Sequence, residues 1–255
     1  MWPRRRAHSL TESASRTSVV DAPHHRTRAR PLSAIAGMYS LKQIKPDDVG
    51  LIRISQTETP SSFRLICFPE SAHSTAYYLS LSELLLPTVE VLAIQYPLYI
   101  GVEDEDRLTD SADLADRIFG ALGEWMDRPL AFFGHRAGAD LAYRVAERLE
   151  RETGAALLTL FVSGRTAHWG MTLGPPVLGC RIVALAGEGD PKTPLRGVRA
   201  WRRRTSGRFD LEVFPGARYY LDSSRREVVN LVHDQLLSQV PIDAEWEAGV
   251  EDQGA

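Results

Sequence analysis

A chain of 255 residues that is 44% apolar can bury the core of one large domain, and 25% charged residues is ordinary for a soluble globular protein. That balance excludes a wholly disordered chain, and no apolar run approaches the roughly eighteen residues a transmembrane helix requires. The formal net charge of -3 does not mark a nucleic-acid binder, but it hides an asymmetry. Residues 1–31 carry seven Arg against Glu12 and Asp21, a local +5, which leaves 23 basic and 31 acidic residues, or -8, for the rest. Cys67 and Cys180 are the only cysteines, each in or beside an apolar run, so a reducing cytoplasm is expected and a disulfide framework is not.

Residues 1–37 are rich in Arg, Ser, Thr and His without periodicity and read as a disordered basic tail, with Met38 as a candidate true start. A domain is expected over 38–240. From Pro241 onward five acids and no base suggest a second, acidic tail at 241–255. Between the tails, runs rich in Val, Ile, Leu and Phe alternate with helical patterns. Phe63–Phe68, Val89–Ile94, Leu130–Phe133, Ala156–Ser163, Arg181–Ala186 and Phe209–Phe214 read as strands buried on both faces. Thr109 to Met126 places Leu114, Ile118, Leu122 and Trp125 on one helical stripe. Leu141, Val145 and Leu149 repeat the spacing, as do Val228, Val232 and Leu236. Strand and helix in regular succession predict an α/β fold with a mostly parallel sheet covered on both faces.

The strand at Leu130 runs into Gly134-His135-Arg136-Ala137-Gly138 and then directly into a helix. This is the frame of a nucleophile elbow, Gly-x-Ser-x-Gly, whose glycines let strand and helix pack tightly around a sharp turn. Arg136 stands where the serine belongs. Further motifs follow in order: Leu65-Ile66-Cys67-Phe68-Pro69-Glu70-Ser71-Ala72-His73, Ile94-Gln95-Tyr96-Pro97, Ser163-Gly164-Arg165, Ala186-Gly187-Glu188-Gly189-Asp190-Pro191, and Phe214-Pro215-Gly216 leading to Arg218.

In these motifs the body, from about residue 60 to 237, resembles the type II thioesterases of polyketide and nonribosomal peptide biosynthesis. The resemblance implies an α/β-hydrolase-like fold. It places Asp190 at the triad acid, Arg136 at the nucleophile, Arg218 at the base, Glu70 in the loop on the oxyanion side, and the backbone N–H of Ala137 in the oxyanion hole. Of the triad only Asp190 is retained. A guanidinium stays protonated and has no lone pair to attack with, so neither arginine replaces serine or histidine. Glu70 would set a carboxylate where negative charge develops. The family also carries a helical lid between elbow and acid. Here Arg136 and Asp190 are 54 residues apart, and only fourteen residues separate Arg165 from Cys180, so the lid subdomain is expected to be largely absent.

Among other candidates, His73, His135, His168 and His233 lack metal-ligand spacing, and His135 is expected to be a packed side chain. Ser71 and Ser74 have no matched base. Arg202-Arg203-Arg204 reads as a solvated face, with a grip on phosphate or on an acidic carrier helix as the sharper alternative. No cofactor and no metal are expected. The resemblance implies an acyl- or peptidyl-carrier protein or another assembly-line enzyme as partner, without nucleic acid or membrane. The resulting expectation is a thioesterase-like binding or accessory factor inactive as a serine hydrolase. A non-hydrolytic enzyme acting by cyclisation, isomerisation or elimination ranks second, and a residual thioester hydrolase third.

Overall fold

Seven strands make one sheet in the order β1-β3-β2-β4-β5-β6-β7. In chain order they are β1 (Gly50–Arg53), β2 (Phe63–Phe68), β3 (Val89–Gln95), β4 (Leu130–His135), β5 (Thr159–Ser163), β6 (Arg181–Gly187) and β7 (Phe209–Phe214). The structure, a computed structural model, describes residues 49–54, 60–70, 75–97, 112–167 and 178–239. The tails expected at 1–37 and 241–255, together with Ser71, Ala72, His73, Ser74 and His168, lie outside the described residues. The register is parallel from β3 through β7, with Ile66 opposite Leu92 and Phe132, and Phe133 opposite Phe161. The exception is β1, which runs antiparallel to β3 with Gly50 opposite Gln95.

Helices cover both faces. On one lie α1 (Thr75–Leu85) and α6 (Arg225–Leu237), and on the other α2 (Ala112–Leu122) and α3 (Ala137–Thr153). A short α4 (Leu195–Val198) continues into a 3₁₀ turn at Arg199–Arg204, and α5 (Tyr220–Ser223) follows a 3₁₀ turn at Ala217–Tyr219. Within β2, Ile66 and Phe68 enter the core beneath α2 and α3, while Leu65 and Cys67 enter the core beneath α1 and α6. Both sides of the pleat are dry in β2 through β6, so these strands read as apolar runs, whereas β7, expected to be buried on both faces, lies at the sheet edge and is mostly half-buried. The α3 stripe of Leu141, Val145 and Leu149 is buried as its spacing predicts, and Gly154 ends the helix in a left-handed cap that returns its N–H to Glu150 O at 3.0 Å.

One charged group is deep in this sheet. Arg64 on β2 is only 2% exposed; its Nη2 lies 2.7 Å from Glu90 Oε2 on β3, and it also pairs with Asp127. Its guanidinium sits 5.1 Å from the Trp125 ring centroid. Cys67 and Cys180 are buried free thiols, and burial pushes the Cys180 thiol up to about 12, which keeps it protonated and inert.

Candidate functional site

The winding of the sheet reverses between β2 and β4: from β2 the chain steps outward to β3, then crosses back to β4 on the other side of β2. In open α/β sheets the crevice beyond the strand ends at such a reversal is where ligands bind. Glu70 follows β2 by two residues and Arg136 follows β4 directly, so both flank that crevice.

The glycines of the elbow explain how closely these elements meet. A Cβ on Gly138 would fall 2.1 Å from Phe68 O and 2.6 Å from Pro69 O. One on Gly134 would fall 2.4 Å from the Ala139 Cα. A side chain at Gly138 would push α3 away from the end of β2, and one at Gly134 would push it away from β4. Tyr96, buried at the end of β3, donates to Pro69 O at 3.0 Å and so fixes the residue before Glu70.

Arg136 itself adopts φ 50° and ψ -121°, a conformation L-residues avoid. It is held there from both sides: its N–H donates to Ser163 O at 2.9 Å, and its carbonyl accepts from Ala139 N at 2.9 Å. The strained geometry that presents a nucleophile is therefore present with a guanidinium in place of a hydroxyl. That guanidinium is nearly enclosed, with its Nε 2.9 Å from Glu70 Oε2 and its Nη2 donating to Arg218 O at 3.4 Å. The Arg136–Glu70 contact supplies the counter-charge that a cation at a helix N-terminus needs.

Behind Arg136 runs a chain of hydrogen bonds. Arg136 Nε donates to His135 Nε2 at 3.2 Å, and His135 Nδ1 meets Ser163 Oγ at 2.9 Å. Ser163 Oγ bonds the Tyr220 hydroxyl, which donates to Leu185 O at 3.1 Å. Burial, followed by the adjacent Arg136 cation, holds the His135 imidazole down at about 3. Ser163 and His135 form a serine–histidine pair, but Ser163 is fully buried and the ring is too weak a base to activate it. His135 is the packed side chain the sequence suggested. The relay partners Ser163 and Tyr220 were missed: Ser163 was legible only as a motif marker beside Gly164, and Tyr220 not at all.

The retained acid Asp190 does not pair with Arg136 or Arg218. Its carboxylate accepts from Lys192 N at 2.9 Å and from Thr193 Oγ1 at 3.0 Å, closing the turn after β6, and among the described residues it forms no ion pair. Short side-chain acceptors with a hydrogen-bond donor two or three residues on favour such local turns over a partner across the crevice.

Gly187 brings the next segment over the end of β6, since a Cβ there would lie 1.6 Å from Ala217 O. Arg218 follows, with its guanidinium 5.6 Å from the Tyr219 ring centroid and its Nε buried without a hydrogen-bond partner among the described residues. Ala137, fully buried, opens α3, whose leading N–H groups have no acceptor within the helix. No group of three or more His, Cys, Asp or Glu among the described residues is placed to hold a metal ion, and no described helix is long and apolar enough to cross a membrane.

Comparison with known proteins agrees with this geometry. The thioesterase domain family model matches residues 63–172. Thioesterase PikA5 of Streptomyces venezuelae is 30% identical over 264 residues, covering 82% of this chain and 89% of its own length. Thioesterase TesA of Mycobacterium leprae is 27% identical, with 71% of this chain and 89% of its own covered. The solved type II thioesterase BorB from the borrelidin biosynthetic cluster superposes with a TM-score of 0.64 at 27% identity, over 73% of this chain and 97% of its own. An alignment of 264 residues that takes up only 82% of 255 leaves roughly fifty positions of the Streptomyces venezuelae protein without counterpart here. With the elbow, the ordered motifs and these likenesses in agreement, the chain belongs to the thioesterase family, on the α/β-hydrolase-like fold of its type II members.

Proposed function

We propose that this chain serves polyketide or nonribosomal peptide biosynthesis in the cytoplasm as a binding or accessory factor for carrier-bound intermediates or partner enzymes, and not as a serine thioesterase. The observation that carries the reading is Arg136 at the elbow, with its backbone held in the strained conformation and its side chain paired to Glu70. Acyl transfer needs an attacking lone pair, a base to take its proton and donors aimed at the developing oxyanion. A guanidinium supplies neither of the first two, Arg218 stands at the position the family resemblance gives to the base, and the Glu70 carboxylate lies 2.9 Å from Arg136 Nε, where it opposes negative charge developing beside the elbow. The short connection between β5 and β6, residues 164–180, is a second support, because without a lid nothing holds an acyl chain out of water. Relatives named for thioesterase activity and for antibiotic clusters suggest the setting of carrier-bound intermediates.

The test is incubation with acyl-CoA and acyl-carrier substrates, read by mass and by retention time so that mass-neutral rearrangement is seen beside hydrolysis. The expected result is release at the rate of the protein-free control together with measurable binding of the acyl-carrier. Turnover that a serine-directed phosphonate abolishes would overturn the reading.

A further inference from the structure

Resting on that reading, the geometry points to a docking surface for an acidic protein partner on the outer face of α4 and the 3₁₀ turn that continues it; we propose that the carrier is held there by its carboxylates. From Pro191 to Arg208 the sequence holds Lys192, Arg196, Arg199, Arg202, Arg203, Arg204 and Arg208 with no Asp or Glu. This lies within a body whose net charge after residue 31 is -8, so the cations are concentrated rather than spread. Lys192, Arg196, Arg199, Arg202 and Arg203 are exposed. Among the described residues Lys192, Arg196, Arg199 and Arg203 form no ion pair, while Arg208 pairs with Asp210 and Arg204 stands over the Tyr143 ring.

The face is rigid as well as charged. Val198 and Trp201, three residues apart, are fully buried on the inner side, with Trp201 Nε1 donating to Arg165 O at 2.9 Å and its ring edge-on to Tyr143 at 5.6 Å. Arg196, Arg199 and Arg202 follow one another at the three-residue spacing of a 3₁₀ turn, and they and Arg203 are exposed away from that buried pair. A Cβ on Gly197 would lie 2.6 Å from the Thr166 side chain, and Gly197 O accepts from Ala167 N at 3.1 Å, so the segment is clamped to the chain leaving β5. Cations held in this way repel one another, and an acidic partner relieves that repulsion while it docks.

The position bears on the partner. The segment begins one residue after Asp190, at the same end of the sheet as Arg136 and Glu70, and runs back toward the start of β6, where Thr205 Oγ1 donates to Leu178 O at 3.1 Å. Arg196, beside the Gly197–Ala167 contact, is therefore nearest the crevice, and a protein seated along the segment reaches the crevice from that end. A compact acidic protein fits a short basic face better than a long polyanion, which would extend onto the acidic remainder of the body.

The experiment measures the affinity of the full chain for a phosphopantetheinylated acyl-carrier domain of net negative charge, at 50 and 300 mM NaCl. The variants are Arg196→Glu/Arg199→Glu/Arg203→Glu and the milder Arg196→Gln/Arg199→Gln/Arg203→Gln, all at exposed positions outside the crevice. The expected result is a wild-type Kd that weakens about tenfold or more with salt and about thirtyfold or more in the Glu variant, with the Gln variant between. Wild-type-like binding by both variants overturns the surface and leaves the binding-factor reading standing. Binding of a 20-base-pair DNA duplex or of phosphatidylglycerol vesicles through these arginines, in place of the carrier, also overturns it. No carrier binding by the wild type at either salt concentration removes both readings together.

Discussion

Nε of Arg136 donates a hydrogen bond to Nε2 of His135, its own neighbour in the chain, at 3.2 Å. A guanidinium cannot accept, so Nε2 must carry the lone pair and Nδ1 the proton, which fixes the tautomer and makes Nδ1 the donor to Ser163 Oγ. The relay then runs one way, from Arg136 through His135, Ser163 and Tyr220 to Leu185 O. A second proton on the ring would face Arg136 head-on.

The pH dependence follows. In the unfolded chain His135 titrates near about 6.5, and in the fold near about 3. Between those values the unfolded state binds more protons, so this group's contribution is complete above pH 6.5 and is lost as pH falls toward 3, by at most about 1.4 kcal/mol per pH unit. Urea unfolding at pH 7 and pH 5 should show the wild type losing about 1–2 kcal/mol more than His135→Gln. Equal losses would mean that the ring is solvated in the fold.

Restoring the formal triad should not restore an enzyme. Arg136→Ser with Arg218→His puts serine and histidine back in line with Asp190. Yet Glu70 remains beside the elbow, and losing oxyanion stabilisation alone costs about 100- to 1000-fold. The double variant's kcat/KM on an acyl-carrier substrate is expected to stay at least about a hundredfold below that of an intact type II thioesterase assayed in parallel. A gap of about tenfold or less would show the two arginines to be the only lesion.

The tight elbow makes a stability prediction. Gly138→Ala sets a methyl group against two backbone oxygens that cannot rotate away, and overpacking of this kind costs about 1–3 kcal/mol or somewhat more. Chemical denaturation should show a lower midpoint with an unchanged slope. At Gly120, where nothing lies within 4 Å of an added Cβ, alanine should be neutral or stabilising by a few tenths of a kcal/mol.

At the opposite end of the sheet, Arg64→Met would leave the buried Glu90 with the longer Arg128 contact at 3.6 Å in place of the 2.7 Å pair. Removing one partner of a buried pair costs about 3–5 kcal/mol, whereas replacing both with apolar groups of similar volume is often neutral. Arg64→Met/Glu90→Leu should therefore be more stable than Arg64→Met alone. A double-mutant cycle checks this, and strict additivity would show that the pair is not coupled.

The central strands and long helices were legible because burial on both faces writes an uninterrupted apolar run, and burial on one face writes a 3.6-residue stripe. β2 and β7 run over the residues their composition predicts, and α2 and the 3₁₀ turn after it fall within the stripe seen from Thr109 to Met126. β1 was not legible: four residues, Gly50–Arg53, are too short for any period to register, and its antiparallel pairing to β3 is a tertiary fact. α1 escaped because Tyr77, Tyr78 and the leucines around them give it no sharp polar face. Of the site, the pairing of Arg136 with Glu70 could be anticipated, since motif order puts both at one crevice. The fate of Asp190 could not, because its choice between a distant cation and the Lys192 N–H and Thr193 hydroxyl just ahead is settled by loop geometry that only the folded chain possesses.

Among the described residues β7 ends the sheet with its outer edge unpaired, and Val213 there is 43% exposed. An open strand edge invites another copy to add on and grow a fibre. Asp210 and Glu212 alternate with apolar residues along this edge, and Asp210 is anchored by Arg181 at 2.7 Å and Arg208 at 3.1 Å. Any strand added in register would have to seat its own side chains against those fixed charges. The same carboxylates that look incidental to the crevice therefore oppose edge-to-edge addition at this margin.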